Sequence, residues 1–269
     1  MKILRFLQNG SPVYGILERD TISPCHGDPF EGLQPRGESL ELSSVQLLPP
    51  VSPPNVICLG LNYKRHAREF GLPHPEKPLI FLKTTTAVCG PGDAIVLPEH
   101  NPEEIDYEAE LAIIIGKKTR NVTADRALEH VLGYTVANDV TNRAAQAAES
   151  QWARAKSYDT FCPLGPVIAT DVDGDNLPIS CRVDGQLMQS SNTADMFFSC
   201  PEIVAYLSQC MTLLPGTVIL TGTPEGVGFK RTPPVFLREG QLVECEITGI
   251  GKLANPVKRH AAAAGSACN

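Results

Sequence analysis

Glu103-Glu104-Ile105-Asp106-Tyr107-Glu108-Ala109-Glu110-Leu111-Ala112-Ile113 is the stretch on which the reading of this chain turns. In a strand, alternate side chains point to opposite faces. Glu104, Asp106, Glu108 and Glu110 then share one face, and Ile105, Tyr107, Ala109, Leu111 and Ile113 the other. Like charges stacked on one sheet face repel, yet the stretch runs directly into the apolar Ile113-Ile114-Ile115-Gly116. Such a row needs a neutralising partner: a divalent cation, a cluster of Arg and Lys, or water. Two readings stay open on these residues alone, a solvated strand face and a site built from carboxylates.

Working outward, the 269 residues, 42% hydrophobic, suffice for one large domain or a large and a small one. The formal charge of -7 carries no basic stripe, which argues against nucleic acid as a partner. An odd count of nine Cys without a Cys-x-x-Cys pair argues against a disulfide framework and a structural zinc site. Reduced, mostly buried thiols and a cytoplasmic location are expected instead. No long apolar run suggests a signal peptide or a membrane span. The 23 Pro and 22 Gly cut the chain into short segments, so it reads as strand-rich rather than as a regular alternation of strands and helices.

Residues 2–17 predict a hairpin around Asn9-Gly10, and residues 20–48 read as irregular and polar. The proline-rich Pro49-Pro50-Val51-Ser52-Pro53-Pro54 reads as a stiff connector. It divides a small N-terminal domain, 1–50, from a main domain, 51–258, with 259–269 as an Ala-rich disordered tail. After the apolar strand 55–60, Asn62 is expected to cap a short helix that Gly71 ends. His66 and Glu69 share a face of that helix at the spacing of a carboxylate orienting an imidazole; an ordinary surface pair has the same spacing. A helix is expected over 123–132, stopped by Gly133, then a strand that delivers Asp139. Residues 142–152 read as helical with Arg143 and Gln146 on one face, and Lys156 lies in the polar loop 155–161. Ser199-Cys200-Pro201-Glu202 is a capping box opening a helix with an Ile203, Val204, Leu207, Met211 stripe. The turn Thr221-Gly222-Thr223-Pro224-Glu225-Gly226-Val227-Gly228 lacks the Gly-Lys-Ser/Thr of a phosphate loop. Its N–H groups are free to hold a carboxylate instead.

Five blocks resemble, in order, those of the fumarylacetoacetate hydrolase family. They are Gly60-Leu61-Asn62-Tyr63-Lys64-Arg65-His66, Asp106-Tyr107-Glu108-Ala109-Glu110-Leu111-Ala112, Gly133-Tyr134-Thr135-Val136-Ala137-Asn138-Asp139-Val140-Thr141, Lys156-Ser157-Tyr158-Asp159-Thr160-Phe161-Cys162-Pro163-Leu164-Gly165-Pro166, and Leu220-Thr221-Gly222-Thr223-Pro224-Glu225-Gly226-Val227-Gly228. The resemblance implies an α+β, mainly β protein, with a mixed β-roll or sandwich as catalytic domain beside a small β-rich N-terminal domain, usually dimeric. It implies one Mg²⁺ or Mn²⁺ per chain on Glu108, Glu110 and Asp139, hard oxygen ligands suited to such ions. Asp106 and Glu104 are left at a solvated sheet edge. By the same resemblance His66 and Glu69 form a dyad on a short lid, and Lys156 stabilises developing negative charge. Arg143 and Gln146 bind the substrate's polar tail, Thr223 and Gly222 its carboxylate, and Tyr63 the pocket wall.

The implied substrate is a small 2-oxo acid. The leading expectation is a hydrolase that cleaves a C–C bond in acylpyruvate-type 2,4-dioxo acids, as in aromatic-compound catabolism. The alternative is an isomerase or decarboxylase of 2-hydroxyhepta-2,4-diene-1,7-dioate or of related 2-oxo acids such as oxaloacetate. A third is a non-catalytic ligand-binding protein on the same scaffold.

Overall fold

The acidic stretch breaks into two strands. In the computed structural model, which describes residues 1–99 and 102–260, Ile105–Asp106 pairs with Thr141–Asn142 in a small ribbon, and Ala109–Ile115 enters the main sheet. The alternation read from the sequence holds across the break. Ile105, Tyr107, Ala109, Leu111, Ile113 and Ile115 pack into one core, and Ala112 and Ile114 into a second. Every residue of Ala109–Ile115 is buried, as expected for a strand covered on both faces.

Among the described residues the main sheet has thirteen strands. Ala109–Ile115 lies between Val131–Asn138 and Val218–Leu220, antiparallel to both. Val218–Leu220 runs parallel to Val56–Leu59, which pairs with the edge strand Ile80–Lys83. In the other direction Val131–Asn138 pairs with Cys162–Ala169, and that strand with Lys2–Gln8 of the N-terminal region. The N-terminal strands therefore extend the same sheet. A second, five-stranded sheet is ordered Ile95–Leu97, Gly251–Arg259, Leu242–Ile247, Pro178–Val183, Gln186–Asn192. The architecture is α+β and mainly β, with mixed sheets and five short helices among the described residues.

Those helices are α1 (Lys64–Phe70), α2 (Ala124–Ala127), α3 (Arg143–Ala148), α4 (Ala153–Lys156) and α5 (Cys200–Cys210). The hairpin turn at Asn9-Gly10 forms with both residues at positive φ. The capping box at Ser199 and Glu202 opens α5. Several local expectations give way. Residues 20–48 contain the strands Thr21–Asp28 and Gly32–Pro35 and two shorter ones; strands with one solvated face need few apolar residues. Tyr63, not Asn62, occupies the cap of α1 and makes no side-chain cap bond. Asn62 instead ties two loops together, donating to the carbonyls of Phe198 and Thr221 and accepting from the Phe198 N–H. The helix expected over 123–132 stops at His130, because Gly133 belongs to the strand Val131–Asn138. A Cβ at Gly133 would lie 2.4 Å from the Ala169 carbonyl oxygen, so glycine is required there by strand packing. Lys156 ends α4 rather than lying in a loop. Two residues of the expected tail are ordered: Arg259 closes the strand Gly251–Arg259, and the His260 N–H donates to the Leu97 carbonyl; 261–269 lie outside the described residues. Among the described residues no helix is long and apolar enough to cross a membrane, and the eight described cysteines are free thiols.

Candidate active site

Adjacent strands bring the acids together. Glu110 projects from Ala109–Ile115, Glu108 just precedes that strand, and Asp139 follows Val131–Asn138. The register Ala109↔Asn138 sets the two chain ends side by side. Asp139 N–H donates to the Glu108 carbonyl (2.8 Å), and Glu108 N–H to Asn138 Oδ1 (2.9 Å). Ligand oxygens of Glu108, Glu110 and Asp139 lie within 4.8 Å of one another, and all three residues are buried.

Three cations meet these acids. Lys156 Nζ bridges Glu108 Oε2 (2.7 Å) and Asp139 Oδ2 (2.6 Å). Lys83 Nζ lies 2.5 Å from Asp139 Oδ1. Arg143 Nη2 contacts Glu108 Oε1 at 2.6 Å, and its Nε donates to Asp106 Oδ2 at 2.8 Å. Burial pushes the Glu108 carboxyl up, but Lys156 and Arg143 outweigh it and hold it well below the usual carboxylate range. Glu110 behaves in the opposite way. Burial, and then the negative charge of Asp139 and Glu108, push it well above the usual range. Among the described residues no cationic side chain lies within ion-pair distance of Glu110. Its Oε2 accepts from the Gly222 N–H at 2.7 Å.

This donor set fits a divalent ion. It offers three buried carboxylates and no sulfur or nitrogen ligand, which suits a hard ion such as Mg²⁺ or Mn²⁺. A dication beside Glu110 would oppose the burial and the like charges that raise its pKa. Glu108, Glu110 and Asp139 would hold it.

Asp106 corrects an expectation. It is fully buried, not at a solvated edge. Beyond Arg143 it accepts from the N–H groups of Tyr107 (2.9 Å), Gly228 (2.8 Å) and Phe229 (3.1 Å). Burial raises its pKa and the Arg143 charge opposes the rise. Glu104 is exposed.

The glycine-rich turn holds carboxylates, all of them the protein's own. Gly222 N–H serves Glu110, Gly228 N–H serves Asp106, and Gly226 N–H donates to Glu69 Oε1 at 3.1 Å. A Cβ at Gly226 would lie 2.3 Å from the Met188 carbonyl oxygen, and one at Gly228 1.8 Å from that of Val235.

On α1, His66 Nδ1 lies 2.9 Å from Glu69 Oε2. Arg65 Nη1 reaches Glu225 Oε1 at 3.0 Å, a second tie between α1 and the turn. His66, Glu108, Arg143, Gln146, Lys156 and Thr223 line one cavity of about 350 Å³. Much of its remaining wall is apolar: Leu59, Leu72, Phe70, Phe81, Trp152 and Phe229. Arg143 also donates from Nη1 to Gln146 Oε1 (2.9 Å), so its guanidinium serves the protein's own groups first. Thr223 Oγ1 donates to the Ala109 carbonyl and accepts from Gln189 Nε2. Tyr63 is fully buried in the first core and is not part of the cavity lining. Gly222 acts through Glu110. Lys83 escaped the sequence reading, although alternation on Ile80–Lys83 sets it on one face with Phe81 of the cavity wall. Gln189, which accepts from the Ala109 N–H, carried no local signal.

Known proteins agree with this architecture. Residues 55–258 match the family described as fumarylacetoacetate (FAA) hydrolase C-terminal, and residues 1–50 match one described as Rv2993c-like, N-terminal. The oxaloacetate tautomerase fahd2, mitochondrial, of Xenopus laevis is 43% identical over 269 residues, covering 93% of this chain and 84% of that protein. The oxaloacetate tautomerase FAHD2B, mitochondrial, of Bos taurus is 48% identical over 224 residues, covering 81% and 71%. A solved 5-carboxymethyl-2-hydroxymuconate delta-isomerase from Mycobacterium smegmatis superposes with a TM-score of 0.88 at 40% identity, over 97% of this chain and 100% of that one. A 2-hydroxyhepta-2,4-diene-1,7-dioate isomerase from Mycobacterium marinum gives 0.87 at 39%, with the same coverage. A match over most of the main sheet, relatives above 40% identity across most of both chains, and the buried acid triad lead to one conclusion: the chain belongs to the fumarylacetoacetate hydrolase family.

Proposed function

We propose that this chain is a divalent-metal-dependent isomerase that interconverts tautomers of a small 2-oxo acid, with oxaloacetate as the first compound to test. The observation that carries the reading is that His66, Lys156 and Glu108 line one cavity, with the imidazole braced from behind by Glu69. Relatives named as oxaloacetate tautomerases and structures named as isomerases favour this reading over C–C hydrolysis.

Glu69 is itself fixed by the Gly226 N–H, so the carboxylate orients the ring. With Nδ1–H donated to Glu69, Nε2 is left to take a proton from the substrate carbon and return one. Lys156 Nζ, between Glu108 and Asp139, supplies positive charge beside a developing enolate oxygen. Thr223 and Gln146 orient the substrate's polar groups. A divalent ion on Glu108, Glu110 and Asp139 would add Lewis-acid polarisation of a substrate oxygen. A homodimer belongs to the same reading, and light scattering in solution tests it.

The deciding assay follows the enol–keto absorbance of oxaloacetate with Mg²⁺, with and without EDTA, while pyruvate and CO₂ are measured separately. EDTA-sensitive interconversion with neither product is expected. Pyruvate with a carboxylic acid from an acylpyruvate would make hydrolysis the activity. CO₂ release would make it decarboxylation, and binding without turnover would make the chain a binding protein. His66→Ala should lower the rate at least about 100-fold and keep the Mg²⁺-dependent thermal shift. If the variant lost that shift, His66 would be a metal ligand and not the base.

A further inference from the structure

Lys230 ends the short 3-10 turn Gly228–Lys230 that leaves the glycine-rich segment. Its Nζ lies 4.2 Å from the Phe70 ring centroid and 5.7 Å from that of Phe229. Both rings line the cavity, one from α1 and one from this turn, with centroids 6.5 Å apart. Lys230 is exposed, and among the described residues the carboxylates near the turn pair elsewhere, Glu225 with Arg65 and Asp106 with Arg143. Aromatic faces attract an ammonium without cancelling its charge.

The cations deeper in the site are committed. Arg143 is engaged by Asp106, Glu108 and Gln146, Lys156 by Glu108 and Asp139, and Lys83 by Asp139 and the Val140 carbonyl. Four buried carboxylates face these three cations. One divalent ion and one substrate carboxylate bring that count to neutrality. A second carboxylate set farther out than that of oxaloacetate leaves Thr223 and Gln146 behind and faces the apolar wall, which disfavours it. At the mouth, past Phe229, it meets Lys230.

We propose that Lys230 binds the distal carboxylate of a 2-oxo diacid longer than oxaloacetate, and so sets a preference for diacids over monoacids of equal length. This rests on the 2-oxo acid reading above. The competing role is a clasp in which the cation holds α1 to the turn. A clasp would support every ligand alike, whereas a carboxylate reader discriminates between them.

The test measures binding by calorimetry to the Mg²⁺-loaded protein, so it does not depend on turnover. The probes are 2-oxoadipate and 2-oxohexanoate, equal in chain length and different in the distal carboxylate. The variant is Lys230→Met, which keeps an unbranched stem over Phe70. Wild type should bind 2-oxoadipate about tenfold more tightly, with a preference that shrinks as salt rises. Lys230→Met should bind both within about twofold, with its affinity for 2-oxohexanoate unchanged. Equal binding of both probes by wild type would overturn the assignment and leave the 2-oxo acid reading standing. Equal weakening of both by Lys230→Met would make the residue a clasp and overturn it too. Binding of neither probe would remove the 2-oxo acid reading, and this assignment with it.

Discussion

The floor and the mouth of the cavity are built on opposite principles. On the floor, three buried cations pair with the buried Asp106, Glu108 and Asp139, and the buried Glu110 is held by the Gly222 N–H. At the mouth, α1 meets the glycine-rich turn through the Glu69 carboxylate accepting from the Gly226 N–H, one half-exposed ion pair and a lysine over two rings. Removing one member of a buried ionic set leaves uncompensated charge and costs several kcal/mol, whereas a half-exposed pair is worth ~0.2–1 kcal/mol. The difference separates two tasks. Rearranging the floor would separate buried charges at a cost of several kcal/mol. The mouth has fewer buried bonds, so separating α1 from the turn costs less than disturbing the floor.

The largest effect should come from breaking the segment that serves both regions. Gly228→Ala places a methyl 1.8 Å from the Val235 carbonyl oxygen and 2.6 Å from Asp106 Oδ1. It should lower stability by about 3 kcal/mol or more in urea denaturation, and a loss below ~1 kcal/mol would show that the turn relaxes freely. Glu108→Gln comes next. It removes one of the two carboxylates that Lys156 and Arg143 each engage and should cost about 3 kcal/mol, while abolishing the Mg²⁺-dependent rise in Tm. A variant that kept the full rise would remove Glu108 from the ligand set.

The smallest effect is a slope. Glu110 has a raised folded-state pKa, so its neutral form is retained on folding. Its stabilisation is complete below the unfolded value near 4.3 and is lost as pH rises through the folded value. The Tm of metal-free protein should therefore decline as pH rises above that range, and the Mg²⁺-induced shift should grow over the same interval. Glu110→Gln should flatten both trends. Asp106, raised in the same direction, should leave a residual decline. The Glu108 contribution lies on the acid side, since its depressed pKa is lost only as pH falls below the usual carboxylate range. A Tm that rose with pH above 5 in metal-free protein would contradict the assignment.

The main elements of the fold were legible because alternation is a backbone property. The apolar face read off residues 105–113 is the one that packs into the first core. The triad was legible through the family resemblance, which singles out Glu108, Glu110 and Asp139; spacing alone sets Glu104 and Asp106 equally on that face. What escaped depends on tertiary position. Asp106 has the same local pattern as Glu108, and only the fold delivers Arg143 and three N–H groups to it. Lys83 ends an edge strand that looks ordinary until Asp139 lies 2.5 Å away. Asn62 has the chemistry of a cap and is used as a cross-link over 136 and 159 residues of sequence. Residues 20–48 read as loop because their strands show too few apolar side chains for periodicity to register.

The turn from Gly222 to Phe229 also bears on how variation in this chain is to be interpreted. Its four donors to Glu110, Glu69 and Asp106 are main-chain groups, and three of them belong to glycines, so they are encoded by missing atoms rather than by a side chain that could be exchanged. At Gly226 and Gly228 any replacement adds bulk against a carbonyl oxygen before it alters a donor. In a mutational scan scored by activity alone these glycines would look like reactive residues. Scored by abundance they would group with the core, and comparing the two scores would separate the residues that carry out the reaction from those that hold the site in shape.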